Sequence, residues 1–276
     1  MDFTAIAWNL FHGRDFPPDP ALFTWRSRLL RITERNTTHA QVNHGLEAEF
    51  ASMLAGAEWD VALLQETPPR FIWPLADACD AEAHRVLTSR NRLGWLRAAA
   101  ARLNPDLIAS GEGGSNLTLV RPSGPLGGIV ERRALAIHEG KPERRAMAFT
   151  RTASGLCVAN LHATSDFPEL AAEDVLLAAG AAIEWAGERP LLLGGDLNLR
   201  PAENPDVFDQ LRERFGLAPP TAPRAIDHLL ARGMEVLQPP TSWPPERREV
   251  RQGERALRLS DHTPVEARFA TGDEGN

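Results

Sequence analysis

Short apolar runs, each ending in a carboxylate, an amide or an imidazole, recur along the whole of this 276-residue chain. "AIAWN" ends at Asn9, "VALLQE" at Glu66, "CVANLH" at Asn160 and His162, and "LLLGGDLN" at Asp196 and Asn198. "AID" carries Asp227 near the beginning of its run, and "LSDH" sets Asp261 and His262 just before the last one. Runs of this length bounded by chain breakers read as buried strands. A polar side chain at the mouth of such a strand is costly unless it is bound to something. One such ending is a turn; several that converge would line a pocket. In "LLLGGDLNLRP", Gly194 and Gly195 break the run, and a chain that stays extended beyond them turns Asp196 and Asn198 to one face. A turn accounts for the same residues, because Asp and Asn are common where strands end.

The other segments set these runs in one mixed architecture. "LEAEFASMLAGAEW" has helical spacing, and residues 168 to 187 form a longer helical run. "SNLTLV", "IVERRALAIH", "RRAMAFTR" and "LCVANLH" are strands, two of them joined by the hairpin turn "TASG". A proline-rich loop precedes the final strand in "HTPVEARF". Strands outnumber helices and many connections are hairpin-like, which favours mixed sheets with helices outside. One domain over residues 1 to 270 with a disordered tail at 271 to 276 is expected. The apolar fraction of 43% suffices for a large core. Cys79 and Cys157 form neither a disulfide framework nor a metal spacing. "MDFTAIAWNL" has no basic region before its apolar residues, and no run is long enough to span a bilayer, so a cytoplasmic monomer is expected. The net charge of −7 argues against a general nucleic-acid coat, though not against a local basic cleft.

In order, "WN", "LQE", "NLH", "GDLN", "ID" and "SDH" resemble the endonuclease/exonuclease/phosphatase family, the deoxyribonuclease I-like fold, and they spread from residue 8 to residue 262. The resemblance implies an α/β four-layer sandwich, with two mixed sheets packed together and helices outside. It also implies cleavage of phosphate esters with Mg2+ or Mn2+. On this resemblance Glu66 is the metal-binding glutamate and Asn9 the asparagine beside that metal, with Asp261 a further acid near it. Asp196 orients or activates the attacking water, and Asn198 holds the phosphate. His262 faces the scissile phosphate, Asp227 hydrogen-bonds to it, and His162 is a second phosphate-facing histidine. Asn116 in "SNLTLV" matches a site asparagine more loosely. The residue chemistry agrees: oxygen donors suit a hard cation, and no Cys/His cluster suggests zinc.

Substrate is the less determined part. Abasic-site nucleases of this family use a pocket tyrosine, and this chain has no tyrosine. Residues 12 to 36 contain Arg14, Arg26, Arg28, Arg31 and Arg35; residues 238 to 260 contain Trp243, Arg247, Arg248, Arg251, Arg255 and Arg258. Basic residues with an interleaved aromatic could track a nucleic-acid backbone, which makes Arg247, Arg248 and Trp243 candidate substrate contacts. Equally, Glu246, Glu249 and Glu254 could pair with those arginines on a solvated surface. The expectation is a metal-dependent phosphodiesterase acting on DNA or RNA. The alternatives are an enzyme for a lipid head group or small phosphoester, which an exposed apolar loop would support, and a non-catalytic binding module.

Overall fold

A computed structural model describes residues 1–88, 94–138 and 144–272. In chain order the strands are β1 (Asp2–Asn9), β2 (Glu34–Arg35), β3 (Ala40–Gln41), β4 (Val61–Gln65), β5 (Glu82–Leu87), β6 (Ser115–Val120), β7 (Ile129–His138), β8 (Arg145–Thr152), β9 (Cys157–His162), β10 (Leu191–Asp196), β11 (Asp227–Arg232), β12 (Glu235–Ser242), β13 (Glu249–Gln252), β14 (Arg255–Arg258) and β15 (Val265–Ala270). The helices are α1 (Trp25–Leu30), α2 (Glu47–Gly56), α3 (Ile72–Ala78), α4 (Gly94–Leu103), α5 (Pro105–Glu112), α6 (Pro168–Ala186) and α7 (Pro205–Phe215).

Two large mixed sheets result, ordered β12-β15-β1-β4-β6-β5 and β11-β10-β9-β8-β7. Side chains of the central strands alternate between two destinations. Phe3, Ala5 and Ala7 of β1 and Val61 and Leu63 of β4 meet Val158, Leu192 and Leu229 between the sheets. Ile6, Trp8, Ala62 and Leu64 face the other way, onto Phe50, Leu54 and Leu75 from α2 and α3. On the second sheet Cys157, Ala159, Leu161, Leu191 and Leu193 face Val175, Ala179, Phe208 and Leu211 from α6 and α7. Burial on both faces explains why these strands read as unbroken apolar runs rather than alternating ones.

One parallel pair lies inside each sheet: β1 with β4, and β9 with β10. Parallel neighbours need a crossover, which α2 and α6 lie within. Parallel strands also end on the same side, so Asn9, Gln65, His162 and Asp196 emerge at one edge of the sandwich. β11 runs antiparallel to β10 and begins there, with Asp227 opposite Asp196.

Polar residues tie the sheets together beneath that edge. Gln65 Nε2 donates to Asn160 Oδ1 at 2.8 Å, and Asn160 Nδ2 donates to Leu117 O at 3.1 Å. Asn116, expected at the site, is fully buried and ties the sheets together by donating to Ala146 O at 2.8 Å. The proline-rich loop also needs correction. It contains edge strand β12, whose register shifts twice against β15, and the β13–β14 hairpin. Pro239 and Pro240 fit because an edge strand can spare N–H donors. At the chain ends, Met1 and Thr271 exchange both backbone hydrogen bonds at 2.9 Å, so ordered pairing reaches into the expected tail; residues 273–276 lie outside the described residues.

Candidate active site

At the end of β10, Gly195 has φ +126°, and a Cβ there would sit 2.0 Å from Leu161 O. Only glycine lets β10 run this close to β9 while delivering Asp196 into the space between the sheets' ends. Asp196 is buried, and its Oδ2 accepts from Asn9 Nδ2 at 3.0 Å. Its Oδ1 accepts the Asn198 backbone N–H at 3.0 Å, which is an Asx turn. Turn and site therefore coexist in "GDLN". The extended continuation does not occur: the strand stops at Asp196, Asn198 takes φ +53°, and its Nδ2 donates to Ala163 O at 3.0 Å.

Two imidazoles approach the same carboxyl oxygen. His162 Nε2 is 3.4 Å and His262 Nε2 3.8 Å from Asp196 Oδ2. Their states differ. Burial holds His162 well below the ordinary histidine pKa, with Arg145 adding to the effect. Burial opposes the charge on His262 too, but Asp227 and Asp196 outweigh it and raise that pKa well above the ordinary value. The Asp227 contact is direct, with His262 Nδ1 donating to Oδ2 at 2.8 Å. Asp196 is pushed up to about 7 by burial, against the pull of His262. The two histidines are thus pushed in opposite directions beside a carboxyl group that is itself pushed up.

The loop carrying Asp261 and His262 is fixed by residues without an obvious sequence signature. Ser260, at φ +61°, donates its hydroxyl to Asn9 O at 2.6 Å and accepts the His262 N–H at 3.0 Å. Arg248 is buried, and its guanidinium donates to the carbonyls of Leu259, Ser260 and His262. It braces the loop instead of facing solvent, because a buried guanidinium needs acceptors and the turn supplies them. Trp243 is also buried, in the core under α2, with Nε1 donating to Glu266 Oε2 at 2.8 Å. Arg247 lies 3.8 Å above its ring and pairs with Glu266 at 2.9 Å. Arg258 pairs with Glu249 at 2.8 Å, as the pairing alternative expects, though the pair is mostly buried and not on a solvated surface. Trp243 and Arg248, expected as substrate contacts, are thus both buried and held by contacts within the protein.

Glu66 takes φ +47° just beyond β4, and its Oε2 lies 3.1 Å from His12 Nε2. His12, three residues past Asn9, carries no motif and was not anticipated. Phe11, His12, Glu66, Asn198 and Ser260 account for five of the eight non-glycine residues with positive φ among the described residues. Such strain persists where surrounding structure over-determines it, as at sites.

A hard divalent cation fits this donor set. Burial pushes Asp261 up, and the Glu66 carboxylate adds to it, a like-charge pressure that a cation between them would relieve. Asp227 Oδ1 is buried with no hydrogen-bond partner. Asp196, Asp227 and His262 bring ligand atoms within 4.8 Å of one another. The neighbouring acids that raise the His262 pKa favour its protonated form, which makes it a poorer ligand than the carboxylates. Glu66 and Asp261 are the oxygen pair expected from the sequence. Asn9 has spent both ends of its amide, on Asp196 and on Phe11 N–H at 2.9 Å. Beside His262 a polar cleft opens, lined by Arg224, Asp227, Asp261 and Thr263.

The chain is similar in fold to an endonuclease/exonuclease/phosphatase family protein from Bacteroides thetaiotaomicron, with a TM-score of 0.64 and 15% identity over 99% of this chain and 98% of that one. A mannosyl-6-phosphatase from the same species aligns at 0.63 and 14%, over 97% and 99%. Truncated TDP2 from Caenorhabditis elegans aligns at 0.58 and 13%, over 98% of both chains. No curated protein matches. A sequence model of the endonuclease/exonuclease/phosphatase family spans residues 6–262, nearly the whole chain, and with the fold in agreement the chain belongs to that family.

Proposed function

We propose that this chain is a metal-dependent phosphodiesterase. The observation that carries the reading is the row Asp227–His262–Asp196: a histidine bonded to one acid at 2.8 Å and facing a second, buried acid at 3.8 Å. Glu66 and Asp261 would hold Mg2+ or Mn2+, which when bound supplies Lewis-acid stabilisation of charge on a phosphoryl oxygen. The chain's own residues supply the rest. Asp196 Oδ2, steadied by Asn9, accepts a hydrogen bond from water and takes its proton as the oxygen attacks phosphorus. The P–O bond to the leaving group breaks as the new one forms. His262 donates from Nε2 toward the phosphoryl oxygens, where negative charge accumulates. His162, also buried, sets its Nε2 3.4 Å from the same Asp196 oxygen.

For the substrate, DNA or RNA remains the reading of the arginine-bearing stretches. The second stretch supports it less, since Arg248 and Arg258 are held within the protein. Arg26, Arg28, Arg31 and Arg35 stay exposed. A lipid head group or small phosphoester is the second reading, favoured by the exposed apolar side chains of α1. A non-catalytic module would have no use for a buried acid facing an acid-bonded histidine.

The test is hydrolysis of a soluble bis-aryl phosphodiester with Mg2+, Mn2+ or chelator. Turnover should vanish in chelator and return with either cation. Asp196→Asn should lower it at least a hundredfold, on the order expected for a positioned base, with the thermal melt retained. Full turnover in chelator, or a folded Asp196→Asn protein of near-native rate, would defeat the reading.

A further inference from the structure

Helix α1 presents an unusual surface. Trp25 is 68% exposed, Leu29 57% and Leu30 55%, and Ile32 follows at 37%. Between them Arg26, Arg28 and Arg31 are exposed as well. From Pro20 to Thr33 there is no acidic residue, in a chain whose net charge is −7.

This exposure does not come from a loose helix. Thr24 Oγ1 caps it by accepting the Ser27 N–H at 3.1 Å. Asn43 Nδ2 donates to the carbonyls of Ser27 and Arg28, both at 3.0 Å, and Asn104 Nδ2 donates to Arg28 O at 2.7 Å. The backbone is fastened to the body while the large side chains face out. On the neighbouring helices Leu103 and Leu107 are exposed too, at 65% and 45%.

The surface is also tied to the catalytic edge. Phe11 packs edge-on against Phe16 at 5.9 Å, Phe16 lies 5.9 Å from Phe23, and Arg28 sits over the Phe23 ring. Phe11 precedes His12, which touches Glu66. Arg14 stacks on Phe11 and donates to Asp106 O at the start of α5.

We infer that α1 docks the protein onto an anionic phospholipid bilayer, bringing lipid head groups to the edge where Asp196 and His262 lie. Clustered aliphatic and indole side chains interleaved with arginines match the two layers of a membrane interface. The apolar tips enter the acyl boundary, and the guanidinium groups stay with the phosphates. Single-stranded nucleic acid would satisfy the arginines and stack on Trp25, but it offers no partner for Leu29, Leu30 and Ile32. No helix among the described residues is long and apolar enough to cross a membrane, so α1 would make a peripheral contact. Docking itself stands apart from the phosphodiesterase reading; only the delivery of a lipid phosphodiester to the site rests on it.

The experiment is cosedimentation of the full chain with phosphatidylcholine vesicles, with and without phosphatidylserine, at low and high salt. Binding should need phosphatidylserine and weaken with salt, since each arginine near the surface contributes roughly fivefold in partition. Trp25→Ser combined with Leu29→Ser should reduce binding more than tenfold, and so should Arg26→Gln combined with Arg31→Gln. The Trp25→Ser/Leu29→Ser variant should keep native turnover on the soluble bis-aryl diester, which separates failure of docking from failure of catalysis. No vesicle binding, binding indifferent to phosphatidylserine, or tight single-stranded DNA binding lost in the same variants without vesicle binding would each overturn the inference.

Discussion

Asp227 holds His262 by a single 2.8 Å contact, and that contact keeps the imidazole charged against the pull of burial. Asp227→Asn keeps the shape and removes the charge, so His262 should spend more of its time neutral at working pH. Turnover should fall by about 10²-fold or more, approaching the loss in His262→Ala. The double variant should be little slower than His262→Ala alone, because residues that act as a unit are not additive. Turnover of the three proteins on the bis-aryl diester decides it; a fully multiplicative loss would mean that the two residues act separately. Side chains with this kind of chemistry were legible in the sequence because their type already states their role at a strand end. Ser260 and Arg248 were not, since a serine hydroxyl on Asn9 O depends on a contact across 251 positions. Arg248 reads as a surface charge until the carbonyls around it are known.

The strands were legible for a related reason. Burial on both faces writes an apolar run, so β4, β6, β9 and β10 could be marked without any contact information. β12 escaped because its prolines suppress the strand signal, and an edge position is what permits them. Asn198 escaped because alternation holds only while the chain stays extended. The turn is set by Gly195, whose missing Cβ makes room for Leu161 O. Gly195→Ala should therefore part β9 from β10 where His162 and Asp196 leave the sheet, costing roughly 3 kcal/mol or more from overlap and backbone strain. Gly45→Ala is the control, since a Cβ there meets nothing within 4 Å. Urea unfolding of both proteins measures the contrast, and equal midpoints would show that β10 yields without cost.

Across the whole molecule, stability should depend on pH through a group that belongs to no motif. Asp15 is fully buried, and burial, with Asp106 adding to it, raises its carboxyl pKa from 3.8 to about 8. Its Oδ2 accepts the Val42 N–H at 3.0 Å, and its Oδ1 has no hydrogen-bond partner. The folded chain thus keeps a proton that the unfolded chain releases above pH 3.8. Asp15 favours folding most at low pH; that advantage shrinks as pH rises from about 4 to about 8, then stays level. Asp15→Asn keeps the acceptor for Val42 and removes the titration. The variant should lose part of the wild-type slope across that window and unfold later than wild type at its upper end. Denaturant midpoints measured across the pH range test this, and parallel curves would count against it.

The site draws residues from both sheets and from positions 9 to 262, so no part of the chain can hold it while the rest is unfolded. A cation held by Glu66 and Asp261 must then bind the folded state alone, and binding becomes folding free energy. At a hundred times its dissociation constant the gain is about 2.7 kcal/mol. Saturating Mn2+ should move the urea midpoint of the wild type upward by a shift that grows with cation concentration. Glu66→Gln should unfold at a similar midpoint without cation and show little or none of that shift, since its amide keeps the size and loses the charge. Unfolding followed by fluorescence at several Mn2+ concentrations measures both. A Glu66→Gln protein stabilised as fully as the wild type would move the cation away from Glu66, toward the Asp196 and Asp227 side of the cleft.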